Sequence, residues 1–523
     1  MHKPTLFLIT AGMAAFLATP VAFAEERVDL DTVHRIKAEA FENSKVMDHL
    51  FYVSDVYGPR LTNSTGFFAA ADWVVKTLGE WGIPAHQEKW NYGRGWNYTH
   101  FEAHLIEPQY APLIGFPTAW TAGTNGLVSG EVVMATLASE SDLEANKGKL
   151  KGKIVLLTPG PELKMRIEPL GRRLTDADLA NLAIAPMPVI GGRGGARTNA
   201  RPAQTQIIDF LRQEAPLVIV RPGIGASEGG TVFSGVGAGT WDPKVAPLPA
   251  SVLLTPEHFN RVVRLLQHKI PVKMEFDIRT NFDERTDAVN VIGQIEGARK
   301  KDEIVMIGAH LDSWQGGTGA TDNGAGSAVM LEAMRILKTL NLKLDRSVRI
   351  ALWSGEEENV LGSTAYVKQH FADRATMKPS DEHAKLDAYF NVDEGSGKIR
   401  GVNLQGNDAL RPILTEWLKP FADLGATTVS NRAPGSSDHV PFDAVGLNGI
   451  SFIQDPLEYA ARTHHSNMDV YDRVQSADLA QMAAIVASFV YDAANREEML
   501  PRVPMPKAQP ARPQAAANGA GRE

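Results

Sequence analysis

The sequence predicts an α/β protein with a mostly parallel sheet and a second, β-rich region inserted into it. After residue 280, short apolar runs alternate with amphipathic stretches, which is typical of a mostly parallel sheet. Between 110 and 280 the chain consists of short β-rich pieces separated by glycine and proline. At 523 residues, 44% of them hydrophobic, the chain is too long for one ordinary core, so we expect two domains.

The first 24 residues predict a signal peptide for export. Lys3 precedes an apolar stretch from Leu6 to Leu17, and Ala22-Phe23-Ala24 is a small-x-small cleavage site. The mature chain would begin at Glu25 and reach the periplasm or the medium. No apolar stretch has the ~20 residues that a membrane span needs, so we expect no stable membrane insertion.

The elements follow in order along the chain. Apolar residues at helical spacing predict helices within 30–54 and over 67–81, followed by a strand at 85–91. In the β-rich region we expect strands at 130–136, 152–158, 215–220 and 251–254, and a helix at 255–268. Further helices are predicted at 323–340, 359–372, 407–423 and 476–495. The expected domains are therefore 25–109 with 281–500, an insert at 110–280, and a disordered Pro/Ala-rich tail at 501–523.

Acidic and imidazole side chains follow four predicted strands of the second half. Because ligands bind beyond the carboxyl ends of strands in open α/β sheets, these side chains are expected at one edge. The strands and the residues that follow them are 304–309 with His310 and Asp312, 348–353 with Glu356 and Glu357, 388–392 with Asp393, and 450–453 with His464 and His465.

Taken singly, each of these residues has an ordinary structural explanation, such as a helix cap for Asp322. Together they offer imidazole nitrogen and carboxylate oxygen, which suits catalytic Zn²⁺. Too many ligands for one tetrahedral ion indicate two ions sharing a carboxylate, with a bridging water acidified toward a pKa of ~7. Glu356 is the candidate general base for that water. The five candidate ligands are His310, Asp322, Glu357, Asp393 and His465.

Composition excludes several other functions. A net charge of −8 and a pI near 6.0 argue against binding to nucleic acid or an anionic membrane. The absence of cysteine excludes disulfides, thiolate metal sites and a cysteine nucleophile. The glycine-rich loop after Asp312 lacks the Gly-Lys-Ser/Thr of a phosphate-binding loop, which argues against a nucleotide site.

Four motifs in one order resemble the zinc-dependent exopeptidase family that includes bacterial secreted aminopeptidases, glutamate carboxypeptidase and carboxypeptidase Q. They are HLDSWQGGTGATDNGAG, ALWSGEEENVLGSTAYV, NVDEGSG and THHSNMDVYD. HLDSW and the earlier GPRLTNSTG are most similar to carboxypeptidase Q. The resemblance covers about 40 to 500, and four motifs together are far more specific than any one of them.

The resemblance implies a three-layer α/β/α, phosphorylase/hydrolase-like peptidase domain with two zinc ions and an inserted protease-associated domain. It implies that His310, Asp322, Glu357, Asp393 and His465 are the ligands, with Asp322 bridging, and that Glu356 is the base. Asp312 would orient His310, and Tyr459 is the candidate for stabilising the oxyanion. His465 is preferred to His464 because the family ligand directly precedes a Ser or Thr, here Ser466, and lies four residues before an Asp, here Asp469.

Several alternatives stay open at this point. The substrates are expected to be peptides or dipeptides, but the end that is trimmed is undetermined: Glu394 could hold an ammonium group, and Arg432 or Arg462 a carboxylate. A glutaminyl cyclase-like enzyme would bind one zinc ion instead of two. A receptor-like protein on this fold would bind partners without catalysis, although the full ligand set with Glu356 argues against it. A homodimer is also left open.

Overall fold

The computed structural model describes residues 26–186, 204–223, 230–235 and 239–508. The predicted signal peptide therefore lies outside the described residues. The described strands are β1 Ala85–Asn91, β2 Gly95–Glu107, β3 Ala111–Pro112, β4 Gly115–Pro117, β5 Val128–Ala135, β6 Ile154–Leu157, β7 Val218–Pro222, β8 Ser251–Leu254, β9 Lys273–Asp283, β10 Asp287–Ile295, β11 Lys300–His310, β12 Arg346–Trp353, β13 Ala372–Asp373, β14 Lys378–Pro379, β15 Leu386–Asn391, β16 Ile399–Asn403, β17 Thr428–Ser430 and β18 Gly449–Gln454.

The α-helices of the described residues mostly follow the predicted amphipathic stretches. The helix predicted at 476–495 has those bounds, whereas the one predicted at 407–423 is α-helical only in its middle. None of these helices is long and apolar enough to cross a membrane. They are α1 Leu30–Glu42, α2 Val46–Phe51, α3 Thr65–Glu80, α4 Glu140–Asn146, α5 Asp176–Ala183, α6 Gln204–Glu214, α7 Pro256–Gln267, α8 Ala325–Thr339, α9 Leu361–His370, α10 Arg411–Leu418, α11 Val440–Asp443 and α12 Ser476–Asn495.

The first sheet has the strand order β1-β10-β12-β11-β15-β18-β16-β17. Its four central strands β12, β11, β15 and β18 are parallel neighbours and contain the four predicted strands. The flanks are mixed, since β10 runs antiparallel to β12 and β16 antiparallel to β18. The predicted α/β class with a mostly parallel sheet is confirmed. Four parallel neighbours also bring their carboxyl ends to one edge of the sheet.

Helices cover both faces of this sheet. Side chains alternate along β11, so Val305 and Ile307 face a core built with α1, α2, α3, α8 and α12. Ile304 and Met306 face the opposite core, where α9 and α11 contribute Tyr366 and Phe442. The strands are therefore apolar on both sides, which explains why they read as continuous apolar runs in the sequence.

A second eight-stranded sheet is formed by strands between residues 95 and 283, in the order β3-β2-β9-β5-β6-β7-β8-β4. Residues up to 109 are predicted to lie in the first domain, but β2 belongs to this second sheet. β2 pairs with β9 from Gly95 to Glu107, so the two longest strands of the sheet lie at the ends of the inserted stretch. Neither strand could be predicted from alternating apolar and polar residues, because buried and exposed positions do not alternate regularly along them.

The C-terminal segment differs from the prediction of a disordered tail beginning at 501. Residues 501–508 are described, and an Arg502 guanidinium nitrogen donates to the main-chain oxygen of His383 at 3.0 Å. The Pro501 oxygen accepts a hydrogen bond from Asn407 at 2.8 Å. Hydrogen bonds thus hold this stretch although it has no apolar periodicity. Residues 509–523 of the predicted tail lie outside the described residues.

Candidate metal centre

Three of the four central strands end at a candidate site residue or within three residues of one, and the fourth leads to one through a turn. β11 ends at His310, β12 ends three residues before Glu356, and β15 ends two residues before Asp393. After β18 a helical turn at Tyr459–Thr463 leads to His464 and His465. The parallel arrangement explains why residues distant in sequence meet at this edge.

Asp322 lies between the two candidate histidine ligands. Its Oδ1 is 3.2 Å from Nε2 of His310, and its Oδ2 is 3.1 Å from Nε2 of His465. Asp322 sits in the glycine-rich turn before α8 and is only 3% exposed. One carboxylate thus faces two imidazoles with different oxygens, which is the geometry of a bridging ligand.

The remaining two candidate ligands each accompany one histidine. Asp393 Oδ1 is 3.0 Å from Nε2 of His310, and Glu357 Oε2 is 2.9 Å from Nε2 of His465. The five predicted ligands therefore form two groups, His310 with Asp393 and His465 with Glu357, joined by Asp322. The second carboxylate oxygen of Glu357 is buried without a hydrogen bond, and such an atom needs a partner. Nitrogen and oxygen donors in two connected groups fit a pair of zinc ions.

The pKa values in this cluster reflect strong mutual interactions. Burial disfavours the charged form of both histidines, but nearby carboxylates raise the pKa of His310 well above its ordinary value and that of His465 to about 10. Burial would raise the pKa of Asp322, yet hydrogen bonds with both histidines hold it well below its usual range. Burial and the charge of Asp322 raise the pKa of Glu357 to about 7. The site thus concentrates negative charge that cations would stabilise.

Glu356 lies beside this cluster without joining its shortest contacts. Its Oε2 is 3.9 Å from Nε2 of His310, and its side chain is 12% exposed. Burial, followed by the charges of Asp393, Asp438 and Glu357, raises the pKa of Glu356 well above its ordinary value. A carboxylate near the ligands, partly open to solvent and with a high proton affinity, is suited to accept a proton.

Asp312 contacts His310 through its main-chain oxygen and not through the carboxylate that the resemblance implies. Nδ1 of His310 lies 3.0 Å from the main-chain oxygen of Asp312, whereas the nearest carboxylate oxygen is 3.7 Å away. The carboxylate instead accepts hydrogen bonds from Thr62 Oγ1 at 3.1 Å and from the main-chain nitrogens of Glu356 and Glu357 at 3.4 and 3.3 Å. Asp312 therefore links the segment of Thr62 to the loop of Glu356 and Glu357 by hydrogen bonds, and its main-chain oxygen contacts the imidazole.

The two adjacent histidines differ in their distance from the cluster. His464 Nε2 lies 3.8 Å from Asp322 Oδ2, and the His464 ring stacks on that of His465 at 3.7 Å and is 41% exposed. Tyr459 lies on the other side of His464, with 4.8 Å between the ring centroids. Burial and nearby carboxylates raise the pKa of Tyr459 well above its ordinary value, so its hydroxyl remains a donor. The geometry favours His465 as the ligand.

Three further residues contact the predicted ligands or the glycine-rich loop, and sequence reasoning gave none of them these contacts. Ser437 donates a hydrogen bond to Asp393 Oδ2 and accepts one from Asn391 at 2.8 Å. Asp469 accepts hydrogen bonds from Thr321 Oγ1 at 2.8 Å and from the Asp322 main-chain nitrogen at 3.3 Å. The buried Arg60 donates to main-chain oxygens of the glycine-rich loop. Asp469 and Arg60 lie in the motifs THHSNMDVYD and GPRLTNSTG, but a motif does not say which atom each residue contacts.

The candidates for holding a substrate terminus have different surroundings. Glu394 follows Asp393, and burial followed by the charge of Asp393 raises the pKa of Glu394 to about 6. Arg432 is exposed, and its positive charge lowers the pKa of Glu394. Arg462 lies 3.7 Å from Glu458. The arrangement favours neither end of a peptide.

An α/β sheet covered by helices on both faces, with linked carboxylate and imidazole groups at its carboxyl edge, indicates a metallopeptidase. Residues 290–490 match the sequence profile of peptidase family M28. Carboxypeptidase Q of Mus musculus is 24% identical over 462 residues, which cover 87% of each chain.

Solved structures share the fold over most of the chain. A peptidase M28 precursor from Shewanella amazonensis SB2B aligns with a TM-score of 0.65 and 24% identity, covering 91% of this chain and 99% of that one. BSAP, a zinc aminopeptidase from Bacillus subtilis, aligns with a TM-score of 0.55 and 20% identity, covering 86% and 95%. The fold shared with these structures therefore includes both sheets, because the structural alignments extend well beyond residues 290–490.

Proposed function

We propose that this chain is a di-zinc exopeptidase that hydrolyses peptide bonds near a free terminus of peptides or dipeptides. The observation that carries the proposal is the position of Asp322, whose two carboxylate oxygens lie 3.2 and 3.1 Å from the two candidate histidine ligands. The names of relatives point the same way, since they include a carboxypeptidase and a zinc aminopeptidase.

In this proposal each zinc ion has its own pair of ligands and shares Asp322. His310 and Asp393 would hold one ion, and His465 and Glu357 the other. When bound, the two ions would polarise the scissile carbonyl and lower the pKa of a water toward ~7. The buried oxygen of Glu357 that makes no hydrogen bond supports this occupancy, because a cation would satisfy it.

Glu356 would be the general base. It would accept the proton of the attacking water and return it to the leaving amine, as a carboxylate with a raised pKa can do. Its distance of 3.9 Å from His310 leaves it free of the ligand contacts that would occupy its oxygens. The protonated Tyr459 hydroxyl would donate a hydrogen bond to the developing oxyanion.

The second sheet would border the substrate cleft as an inserted protease-associated domain. Trp120 of this region contacts Trp314 edge-on at 6.3 Å between centroids, and Gln315 donates to the Pro117 main-chain oxygen at 3.0 Å. Trp314 in turn lies 6.1 Å from the ring of His465. Side chains next to the candidate metal ligands therefore contact the inserted region, so it can limit which substrates enter.

The protein would act after export to the periplasm or the medium. The basis is the charged, apolar and small-residue pattern of residues 1–24, which lie outside the described residues. The N-terminal sequence of the purified protein would start at Glu25 if cleavage follows Ala24. Retention of Met1 on the active protein would contradict export by this route.

Glu356→Gln tests the proposal most directly. The variant should retain about two zinc ions by elemental analysis, because the five ligands are unchanged. Turnover of amino-acid p-nitroanilides and unblocked dipeptides should fall by about 10²- to 10⁴-fold, because the proton acceptor is lost. Treatment of the wild-type protein with a chelator should abolish the same activity.

The exposed Glu144→Gln on α4 is the matched control and should leave activity and zinc content unchanged. Wild-type turnover by Glu356→Gln would contradict the assignment of the base. One zinc ion in the wild-type protein would contradict the shared carboxylate and favour the cyclase-like alternative. A digest of a peptide library, read by mass spectrometry, would identify the end that is trimmed.

A further inference from the structure

The segment Val232–Gly235, hereafter the clamp segment, contacts the loop that carries His465. The Ser234 main-chain nitrogen donates to the His465 oxygen at 2.7 Å, and Ser234 Oγ donates to the same oxygen at 3.1 Å. Phe233 forms an antiparallel bridge with Ser466. On the next residue pair, Val232 N donates to Asn467 Oδ1 at 2.6 Å and Asn467 N donates to the Val232 oxygen at 3.2 Å.

These hydrogen bonds hold an unfavourable backbone conformation at a candidate metal ligand. His465 has a φ of +56°, in the left-handed region, which is unfavourable for a non-glycine residue. Such a conformation persists only where the surroundings fix it. The two hydrogen bonds from Ser234 to the His465 oxygen provide this restraint, and Ser234 is fully buried.

The clamp segment also contacts the imidazole ring. The Phe233 and Trp314 rings are 5.6 and 6.1 Å from the His465 ring between centroids. A Cβ atom at Gly235 would lie 2.4 Å from Nδ1 and 2.7 Å from Cβ of His465, so any larger residue must displace the ring. Because Nε2 faces Asp322 and Glu357, displacement of the ring would move this nitrogen from its ligand position.

We propose that Ser234 and Gly235 are positioning residues for the metal ion held by His465, Glu357 and Asp322. The clamp segment lies between β7 and β8 of the second sheet, so the inserted region would contribute to metal affinity as well as bordering the cleft. Within the part of the chain that the structure describes, the hydrogen bonds and ion pairs of His310 do not involve the clamp segment, so the ion that His310 and Asp393 would hold should be unaffected. This inference rests on the proposed function, because it requires the two-ion site.

The test is a zinc titration of the full-length, metal-free protein in competition with a chromophoric chelator. Gly235→Ala should bind one ion as the wild type does and the second at least tenfold more weakly. Ser234→Ala keeps the main-chain hydrogen bond and should weaken binding of the second ion less than Gly235→Ala does, by about tenfold, the lower end of the range usual for residues that orient a ligand. With Co²⁺ in place of zinc, Gly235→Ala should change the visible spectrum of one ion only.

Gly79→Ala is the matched control, because a Cβ at this exposed helical position meets nothing within 4 Å. The unfolding of each metal-free variant, followed by circular dichroism, separates a displaced ligand from a misfolded chain. Wild-type affinity for both ions in Gly235→Ala and Ser234→Ala would overturn the positioning role while leaving the proposed function intact. Failure of the wild-type protein to bind a pair of ions would overturn both.

Discussion

Adjacent histidines in one loop make different contacts, and this difference can be tested with single substitutions. His465 is 2.9 Å from Glu357 and 3.1 Å from Asp322, whereas His464 is 3.8 Å from Asp322 and more exposed. His465→Ala should therefore lower the zinc content from about two to about one. His464→Ala should leave two ions bound, because it removes no ligand. Elemental analysis after dialysis measures both.

The reverse result for these two variants would move the ligand by one position along the chain. Loss of zinc from both variants would indicate that the stacked rings act together, since their centroids are 3.7 Å apart. The preference for His465 came from the resemblance, because Ser466 and Asp469 follow it at the positions that the resemblance requires. Residue types and spacing could not reveal Ser234, whose contact with His465 spans 231 residues of sequence.

At the scale of elements, continuous apolar runs predicted the four central strands because those strands are buried on both faces. The same reasoning missed β2 and β9, in which half-buried positions interrupt any regular alternation. It also expected a helix from 323, whereas Asp322 and Asn323 have non-helical backbone angles and α8 begins at Ala325. Contacts with Asp469 hold this turn, and a local pattern contains no information about such a distant partner.

Helix α8 is joined to α2 through a buried carboxylate. Glu332 lies 3.1 Å from His49 Nε2, accepts hydrogen bonds from Arg335 at 2.8 Å, and accepts one from the Lys45 main-chain nitrogen at 3.0 Å. Burial would raise its pKa, but Arg335 and His49 outweigh burial and lower it from 4.5 to about 2. A depressed carboxyl pKa stabilises the fold above the unfolded pKa, and this contribution is lost as the pH falls from about 4.5 to about 2.

Glu332→Gln should therefore reduce the free energy of unfolding at pH 7 by roughly 3 kcal/mol, which corresponds to the lowering of the Glu332 pKa from 4.5 to about 2. The difference from the wild type should shrink progressively below pH 4.5. Urea unfolding of the metal-free proteins at pH 7 and at pH 3 measures this, and it keeps metal loss in acid from contributing. The exposed Glu80→Gln is the control. An equal loss of stability for Glu332→Gln at both pH values would show that the packing of the Glu332 side chain, and not its charge, stabilises the fold.

At the scale of the whole molecule, the inserted region contacts the first sheet through residues near 173. Arg173 Nη1 donates to Asp455 at 2.9 Å and to Asp478 at 2.8 Å. Both carboxylates are buried, and Asp455 also accepts hydrogen bonds from the Leu174 main-chain nitrogen and from Arg400, each at 2.9 Å. The sequence predicted two regions from length and texture, but it could not predict this connection between residues 282 positions apart.

Arg173→Ala should loosen the attachment of the inserted region without removing a metal ligand. Arg173 is 44% exposed, so we expect its loss to cost about 1–2 kcal/mol, toward the lower end of the range for hydrogen bonds to charged groups. The amides of Arg172 and Leu174, which donate to Leu457 and Asp455, should then exchange about tenfold faster with deuterium. Hydrogen exchange followed by mass spectrometry over residues 171–175 and 455–458 measures the change.

Arg172→Ala is the matched control for this connection, because the Arg172 side chain is 61% exposed and pairs with Asp178 of the same inserted region. This variant should leave the exchange rate of the Leu174 amide unchanged. The main-chain nitrogen of residue 172 still donates to the Leu457 oxygen, because that hydrogen bond does not depend on the Arg172 side chain. Zinc content should stay near two in both variants, because the clamp segment contacts His465 independently of Arg173. Loss of zinc from Arg173→Ala would mean that the inserted region holds the metal centre as one unit. Unchanged exchange in Arg173→Ala would mean that the hydrogen bonds of Arg400 and Leu174 to Asp455 suffice to hold the two regions together.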